Sequence, residues 1–337
     1  MRKRLICGAA ALLLLAAAVL FGICMFGGNT KEEEKTSMRI GVLLYRGDDT
    51  FISTLKASLE EYAKEYEMEH GIKVTMDIVD AKGSQNTQNN QVERLISLGC
   101  DVLCVNMVDR SMASGVIDKA MDANTPVVFF NREPVEEDMN RWEKLYYVGV
   151  DAKETAILQG QILVDAYRED PQILDRNGDG MVSYVLLEGE TSHQDSLIRT
   201  EWSIQTLKDG GVPLEKLTGG IANWERSQAS ALMEQWITEY PGQIELAVGN
   251  NDDMALGAID AIERNQIDRD EIRLVGIDGT PVGLEAVEEG KLFGTVVCDK
   301  ERYAKEILDM AAGLSMGTLG EHDKYFWCPQ YALTNEK

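Results

Sequence analysis

The chain has 337 residues, 33 of them Lys or Arg and 57 Asp or Glu, for a formal net charge of −24. The only charges among the first 28 residues are Arg2, Lys3 and Arg4, so the remainder carries −27, which repels phosphate backbones and excludes nucleic-acid binding. At 44% hydrophobic residues the chain is too apolar to be disordered, and its length suits about two domains.

The N-terminus sets the compartment. Met1-Arg-Lys-Arg4 precedes an uncharged run from Leu5 to Gly28, which reads as a signal peptide or an uncleaved N-terminal anchor. Basic residues before the run, with Lys31-Glu-Glu-Glu-Lys35 after it, orient the rest outward, into the periplasm or onto the outer face of the membrane. Cys24 sits where the lipidated cysteine of a lipoprotein belongs, although Ile23 is larger than the residue such cleavage prefers. A lipoprotein and a membrane-anchored chain are both left open. Residues 29–37 form a polar tether. Cys100, Cys104, Cys298 and Cys328 show no metal-ligand spacing and are expected to be buried hydrophobes.

From Met38 a regular alternation starts. A short apolar strand, Arg39–Tyr45, ends at Gly47-Asp48-Asp49, and Phe51, Leu55, Leu59 and Tyr62 then recur at helical spacing. Strand Lys73–Val79 follows, then a helix marked by Val92, Leu95 and Ile96, strand 101–107, a helix over about 111–122 and strand 126–130. A second series begins past Tyr146–Asp151. It holds a helix over about 152–167, strand 182–188, helices over about 195–208 and 226–239, and strand 244–249. Helix 253–264, strand 273–277, a helix over about 281–288 and strand 293–297 complete it. Near eleven strands exceed one ordinary sheet, and continuous apolar strands alternating with amphipathic helices mean parallel sheets. Two α/β lobes with a cleft between them are therefore expected.

In such sheets ligands bind beyond the carboxyl ends of strands. Polar or aromatic residues end strand after strand: Asp49 and Phe51; Asn106; Asn131-Arg132-Glu133; His193, Asp195 and Arg199; Trp224; Asn250-Asn251-Asp252; Asp278; and Cys298-Asp299. Any one of them could be a helix N-cap. Together they are chemically biased. Carboxylates, amides and a guanidinium each engage two neighbouring hydroxyls, and Phe51 and Trp224 offer flat faces to the C–H side of a pyranose. No phosphate-binding Gly-rich loop, nucleophile elbow or His-rich metal site is present.

These residues carry a resemblance to a family. The stretches Tyr45-Arg-Gly-Asp-Asp-Thr-Phe51, Val105-Asn-Met-Val-Asp109, Pro126-Val-Val-Phe-Phe-Asn-Arg-Glu-Pro134, Tyr146-Tyr-Val-Gly149, Leu187–Thr200, Asn250–Ala258 and Gly276-Ile-Asp278 run in order through the body. The body resembles the periplasmic galactose/glucose-binding proteins, type I periplasmic binding proteins of sugar ABC transporters. The resemblance implies two Rossmann-like parallel-sheet lobes joined by a hinge, with an inter-lobe ligand cleft. Residues 38–148 plus about 299–317 would form the N-terminal lobe, and 149–298 plus about 318–337 the C-terminal lobe. It further implies a sugar sandwiched between Phe51 and Trp224, its hydroxyls held by Asp49, Asn106, His193, Asp195, Arg199, Asn251 and Asp278. Cys298 stands where the family has an Asn, and a thiol is a poorer hydrogen-bonding partner than an amide.

The function so implied is capture of a galactose- or glucose-type monosaccharide by lobe closure and its delivery, as a monomer, to an ABC permease. A sugar sensor presenting its closed form to a chemoreceptor or sensor kinase needs only the same pocket. A glycoside hydrolase would need carboxylates flanking a glycosidic bond, and aromatics over both faces of a monosaccharide leave little space for a leaving group. The chain is expected to be a binding protein, not an enzyme.

The sharpest motif is Asp175-Arg-Asn-Gly-Asp-Gly-Met-Val-Ser183, which follows an EF-hand calcium loop: Asp175, Asn177 and Asp179 at positions 1, 3 and 5, Gly180 at 6, the Met181 carbonyl at 7 and Ser183 at 9. Position 12 is Leu186, so a carboxylate must come from elsewhere; the family resemblance implies Glu245. A structural Ca2+ tying two segments of the second lobe together is expected.

Overall fold

The protein is described by a computed structural model over residues 35–335. The expected leader at 1–28, with Cys24, and most of the tether lie outside the described residues. Among the described residues no helix is long and apolar enough to cross a membrane.

Twelve strands occur among the described residues: β1 (Ser37–Leu44), β2 (Lys73–Asp80), β3 (Val102–Val105), β4 (Val127–Phe130), β5 (Leu145–Gly149), β6 (Val182–Glu188), β7 (Leu214–Ile221), β8 (Leu246–Gly249), β9 (Arg273–Asp278), β10 (Gly294–Cys298), β11 (Tyr325–Trp327) and β12 (Gln330–Thr334). They form two six-stranded sheets, ordered β11-β5-β4-β3-β1-β2 and β12-β10-β9-β8-β6-β7. The first sheet is parallel throughout; in the second only β12, against β10, runs antiparallel. Central strands such as Val102-Leu-Cys-Val105 and Val127-Val-Phe-Phe130 are buried at every residue, because helices cover both faces. The edge strands β2 and β7 are only partly buried, and their sequences are correspondingly polar.

Both sheets place an early strand between the next two in sequence, β1 between β2 and β3 and β6 between β7 and β8. That reversal of direction opens a crevice at the carboxyl ends of these strands. Side-chain caps start the helices there. Asp49 accepts from the amide of Ile52 at the head of helix Thr50–His70, and Asn251 accepts from that of Met254 at the head of helix Asp252–Arg264.

The chain crosses between the sheets three times, after β5, after β10 and between β11 and β12. Past β10, helix Lys300–Met316 returns to the first lobe. There Tyr303, Ile307, Leu308 and Ala311 join Leu55 and Leu59 in one apolar cluster. The expected assignment of 318–337 to the second lobe needs correction. Tyr325–Trp327 pairs with β5 in the first sheet, and only Gln330–Thr334 pairs with β10 in the second. Three residues are too short a run to show a period, so the extra crossing leaves no trace in the hydrophobic pattern. Cys100, Cys104, Cys298 and Cys328 are free and buried.

Candidate functional site

A cavity with an empty volume of about 330 Å³, counting its mouth, lies between the two sets of strand ends. Tyr45, Asp49, Phe51, Ile52, Asn131 and Arg132 line it from the first lobe, and His193, Arg199, Trp224, Asn251 and Asp278 from the second. Seven of the ten expected sugar-contacting residues are therefore brought together: Asp49, Phe51, His193, Arg199, Trp224, Asn251 and Asp278.

The aromatic walls come one from each lobe. Phe51 follows the cap of its helix and packs 6.1 Å from the ring of Tyr303. Trp224 follows β7 with φ +65°, stands edge-on to His193 at 5.3 Å, and is 6% exposed. Asn131 (φ +62°) and Asp278 (φ +119°) also line the cavity, so three of its residues hold left-handed backbone that non-glycine side chains seldom adopt. Such strain concentrates where the surrounding fold must aim a side chain.

The polar side chains divide into those spent on the protein and those left over. Asp49 accepts from the Tyr45 hydroxyl at 2.6 Å as well as capping its helix. Arg199 donates from Nη1 to the Asn250 carbonyl at 2.9 Å, and its Nη1 and Nη2 lie 3.7 Å from Asp278 and 3.5 Å from Asp195. Neither ring nitrogen of His193 has a hydrogen-bond partner, nor do Nε of Arg132, Nε of Arg199 or Nε1 of Trp224, although all are buried. Buried donors and acceptors are normally satisfied, so this cluster of unspent groups marks a place built for polar ligand atoms.

Burial drives the electrostatics. Burial and then the Arg132 and Arg199 charges hold the His193 pKa well below its usual value, so the ring is neutral and offers one donor and one acceptor. Burial lifts the Asp195 carboxyl to about 6 against the opposing pull of Arg199. It lifts Asp278 well above the carboxylate range, Arg199 again opposing and Asp252, Asp49 and Asp253 adding to the rise.

Three expected residues, Asn106, Asp195 and Cys298, adjoin the lining residues without lining the cavity themselves. Asn106 is fully buried behind the wall, its amide donating to the Phe130 carbonyl and to Asn131 while its oxygen accepts from the Tyr45 amide. The chain spends it on positioning Tyr45 and Asn131, which line the cavity in its place. Asp195 stands behind His193 and Arg199, and Cys298 lies in the apolar cluster with Tyr303 and Cys328. Tyr45, Ile52, Asn131 and Arg132 are lining residues that the sequence reading does not assign to ligand. Asn131 and Arg132 were legible as strand-end residues, whereas Tyr45 and Ile52 carry no signal that separates them from core.

At the far end of the second lobe, the Asp175 carboxylate accepts from the amides of Gly178 and Gly180 at 2.8 and 2.9 Å, and Glu245 accepts from those of Asn177 and Ser183 at 2.9 and 2.8 Å. Glu245, 2% exposed, thus fastens the loop to the strand end at β8. Among the described residues, no three His, Cys, Asp or Glu side chains gather into a metal-holding group.

A family model described as a periplasmic binding protein domain matches residues 40–319. The D-galactose/methyl-galactoside binding periplasmic protein of Haemophilus influenzae is 33% identical over 89% of this chain and 88% of its own length. A putative rhizopine-binding protein of Rhizobium meliloti is 31% identical over 85% of this chain and 87% of its own. Among solved structures, an ABC transporter solute-binding protein of Bacillus halodurans with bound myo-inositol superimposes with a TM-score of 0.75 at 28% identity, covering 90% of this chain and 96% of its own.

Proposed function

The chain belongs to the periplasmic binding protein family, as an extracytoplasmic sugar-binding component of ABC transport and not an enzyme, and we propose that its ligand is a monosaccharide of the galactose or glucose type. The observation that carries the reading is the pairing of Phe51 and Trp224, one from each lobe, in a cavity whose remaining walls, apart from Tyr45 and Ile52, are carboxylate, amide, imidazole and guanidinium groups. An aromatic face on each side takes the C–H surfaces of a pyranose ring, and planar polar groups around its edge take the hydroxyls. Because both lobes supply contacts, the ligand favours the closed state over the open one and shifts that equilibrium. The closed form is what a permease would recognise.

What supports a hexose is the identity to the galactose-binding relative; the rhizopine and inositol relatives mark the wider polyol class from which it must be distinguished. Tryptophan fluorescence titration tests it. A saturable change with galactose or glucose, lost in Phe51→Ala, is expected. Saturation with myo-inositol alone would move the ligand to the cyclitols, and no saturation with any of the three would overturn the reading.

The same proposal includes a structural Ca2+ held by Asp175, Asn177, Asp179, the Met181 carbonyl, Ser183 and Glu245. Its support is the ordering of the loop backbone by the Asp175 and Glu245 carboxylates, which leaves the remaining lone pairs of those oxygens for a hard cation. Attachment of the body to the membrane, through Cys24 or an uncleaved leader, is likewise proposed.

A further inference from the structure

Among the described residues, the polar contacts that bridge the cleft rim include Arg46 to Glu225, Thr50 to Asp253, Glu133 to Gln194, and Arg132 to Glu190. Arg132 differs from the other bridging residues. It follows β4 of the first lobe, its guanidinium lies 3.7 Å over the ring of Tyr45, and Nη1 donates to the Val108 carbonyl at 2.9 Å. The same Nη1 is 2.8 Å from Oε2 of Glu190, which follows β6 of the second lobe. The Arg132 side chain is 3% exposed and that of Glu190 is 22% exposed, against 22% and 33% for Arg46 and Glu225. Its Nε is buried without a partner, and the residue lines the cavity.

We propose that Arg132 is a positioning residue that couples ligand occupancy to lobe closure, with one edge of its guanidinium serving the ligand and the other clasping Glu190 across the cleft. The inference rests on the reading of the chain as a closing binding protein. Stacking on Tyr45 and the bond to Val108 fix the fork before the lobes meet, so little side-chain entropy is lost when Glu190 arrives. Closure then withdraws the pair from water, where an ion pair is screened less than at an exposed rim. A lysine cannot do both tasks, because its ammonium is a point charge without a planar fork. Breaking a desolvated pair acts chiefly on dissociation, whereas rim charges act on association.

The test uses the full chain and galactose in stopped-flow fluorescence, with calorimetry for equilibrium affinity. Glu190→Gln should raise the dissociation rate about tenfold with the association rate within about twofold, and Glu225→Gln should change dissociation about threefold or less. Arg132→Lys should not restore the wild-type rate. A double-mutant cycle between Arg132→Gln and Glu190→Gln should show coupling between the two positions. Wild-type dissociation in Glu190→Gln, or additive effects in the cycle, would overturn the proposal. If wild type binds no galactose, the sugar reading has failed, and hydrogen exchange of the ligand-free chain decides the coupling. Faster exchange over 188–194 in Glu190→Gln would support it; unchanged exchange would refute it.

Discussion

A Cβ atom added to Gly189 would lie 2.1 Å from Cζ2 of Trp224, so the indole rests directly on the backbone at the carboxyl end of β6. No other residue type at 189 leaves that space, and the left-handed backbone of Trp224 fixes the ring in it. The wall of the cavity is thus set by a glycine that the ligand need not touch.

Gly189→Ala should displace the indole and weaken sugar binding at least tenfold, measured by calorimetry. Trp224 also packs with Val185, Leu187 and Met233 in the core of the second lobe, so Trp224→Ala should both abolish binding and lower the melting temperature. Trp224→Leu separates the two effects. It should retain most of the stability and still lose binding. Full affinity in the Leu variant would show that the indole is core alone.

Cys298 is 1% exposed and lies in the apolar cluster behind the cavity wall, next to the lining residues Arg199 and Asp278 but not among them. Cys298→Ala should leave sugar affinity within about twofold of wild type. A tenfold change would place the thiol against the ligand, as the family resemblance implies.

Removing calcium with a chelator should lower the melting temperature by several degrees while sugar affinity stays nearly constant, because the loop lies at the far end of the second lobe. A cation bound only by the folded state stabilises by about 2.7 kcal/mol at one hundred times its dissociation constant. Glu245→Ala should reproduce the loss even with calcium present, since it frees the amides of Asn177 and Ser183. An unmoved melting curve on chelation would remove the metal from the account.

Burial raises Asp195 from 3.8 to about 6. A carboxyl whose folded pKa lies above its unfolded value binds protons more tightly when folded, so stability falls as pH rises from about 4 to about 6 and stays reduced above that. Asp195→Asn should therefore raise the melting temperature of the ligand-free chain by a few degrees at pH 7 and change it little at pH 4. Binding should weaken at the same time, because Arg199 loses one of its two carboxylate neighbours. A lower melting temperature at pH 7 would show that the attraction to Arg199 outweighs burial.

The central strands were legible because a parallel strand buried on both faces reads as an unbroken apolar run, as in Val127-Val-Phe-Phe130. The cavity residues were legible because the switch of strand order puts carboxyl-end residues such as Asp49, His193 and Asp278 at one crevice. The direction of a strand-end side chain was not. Asn106 and Asn131 are both amides ending a strand, yet one turns inward to hold the other. Helix Lys300–Met316 carries apolar residues at helical spacing, but only the tertiary contact with Leu55 and Leu59 shows which lobe it covers.

Titration calorimetry of the full chain with galactose, glucose, methyl-galactoside, ribose and xylose tests the central claim most directly. The account predicts micromolar or tighter binding of galactose or glucose, at one site per chain, with pentoses at least tenfold weaker and no heat for any sugar in Trp224→Leu. Absence of binding by all five sugars to the wild-type chain would contradict it.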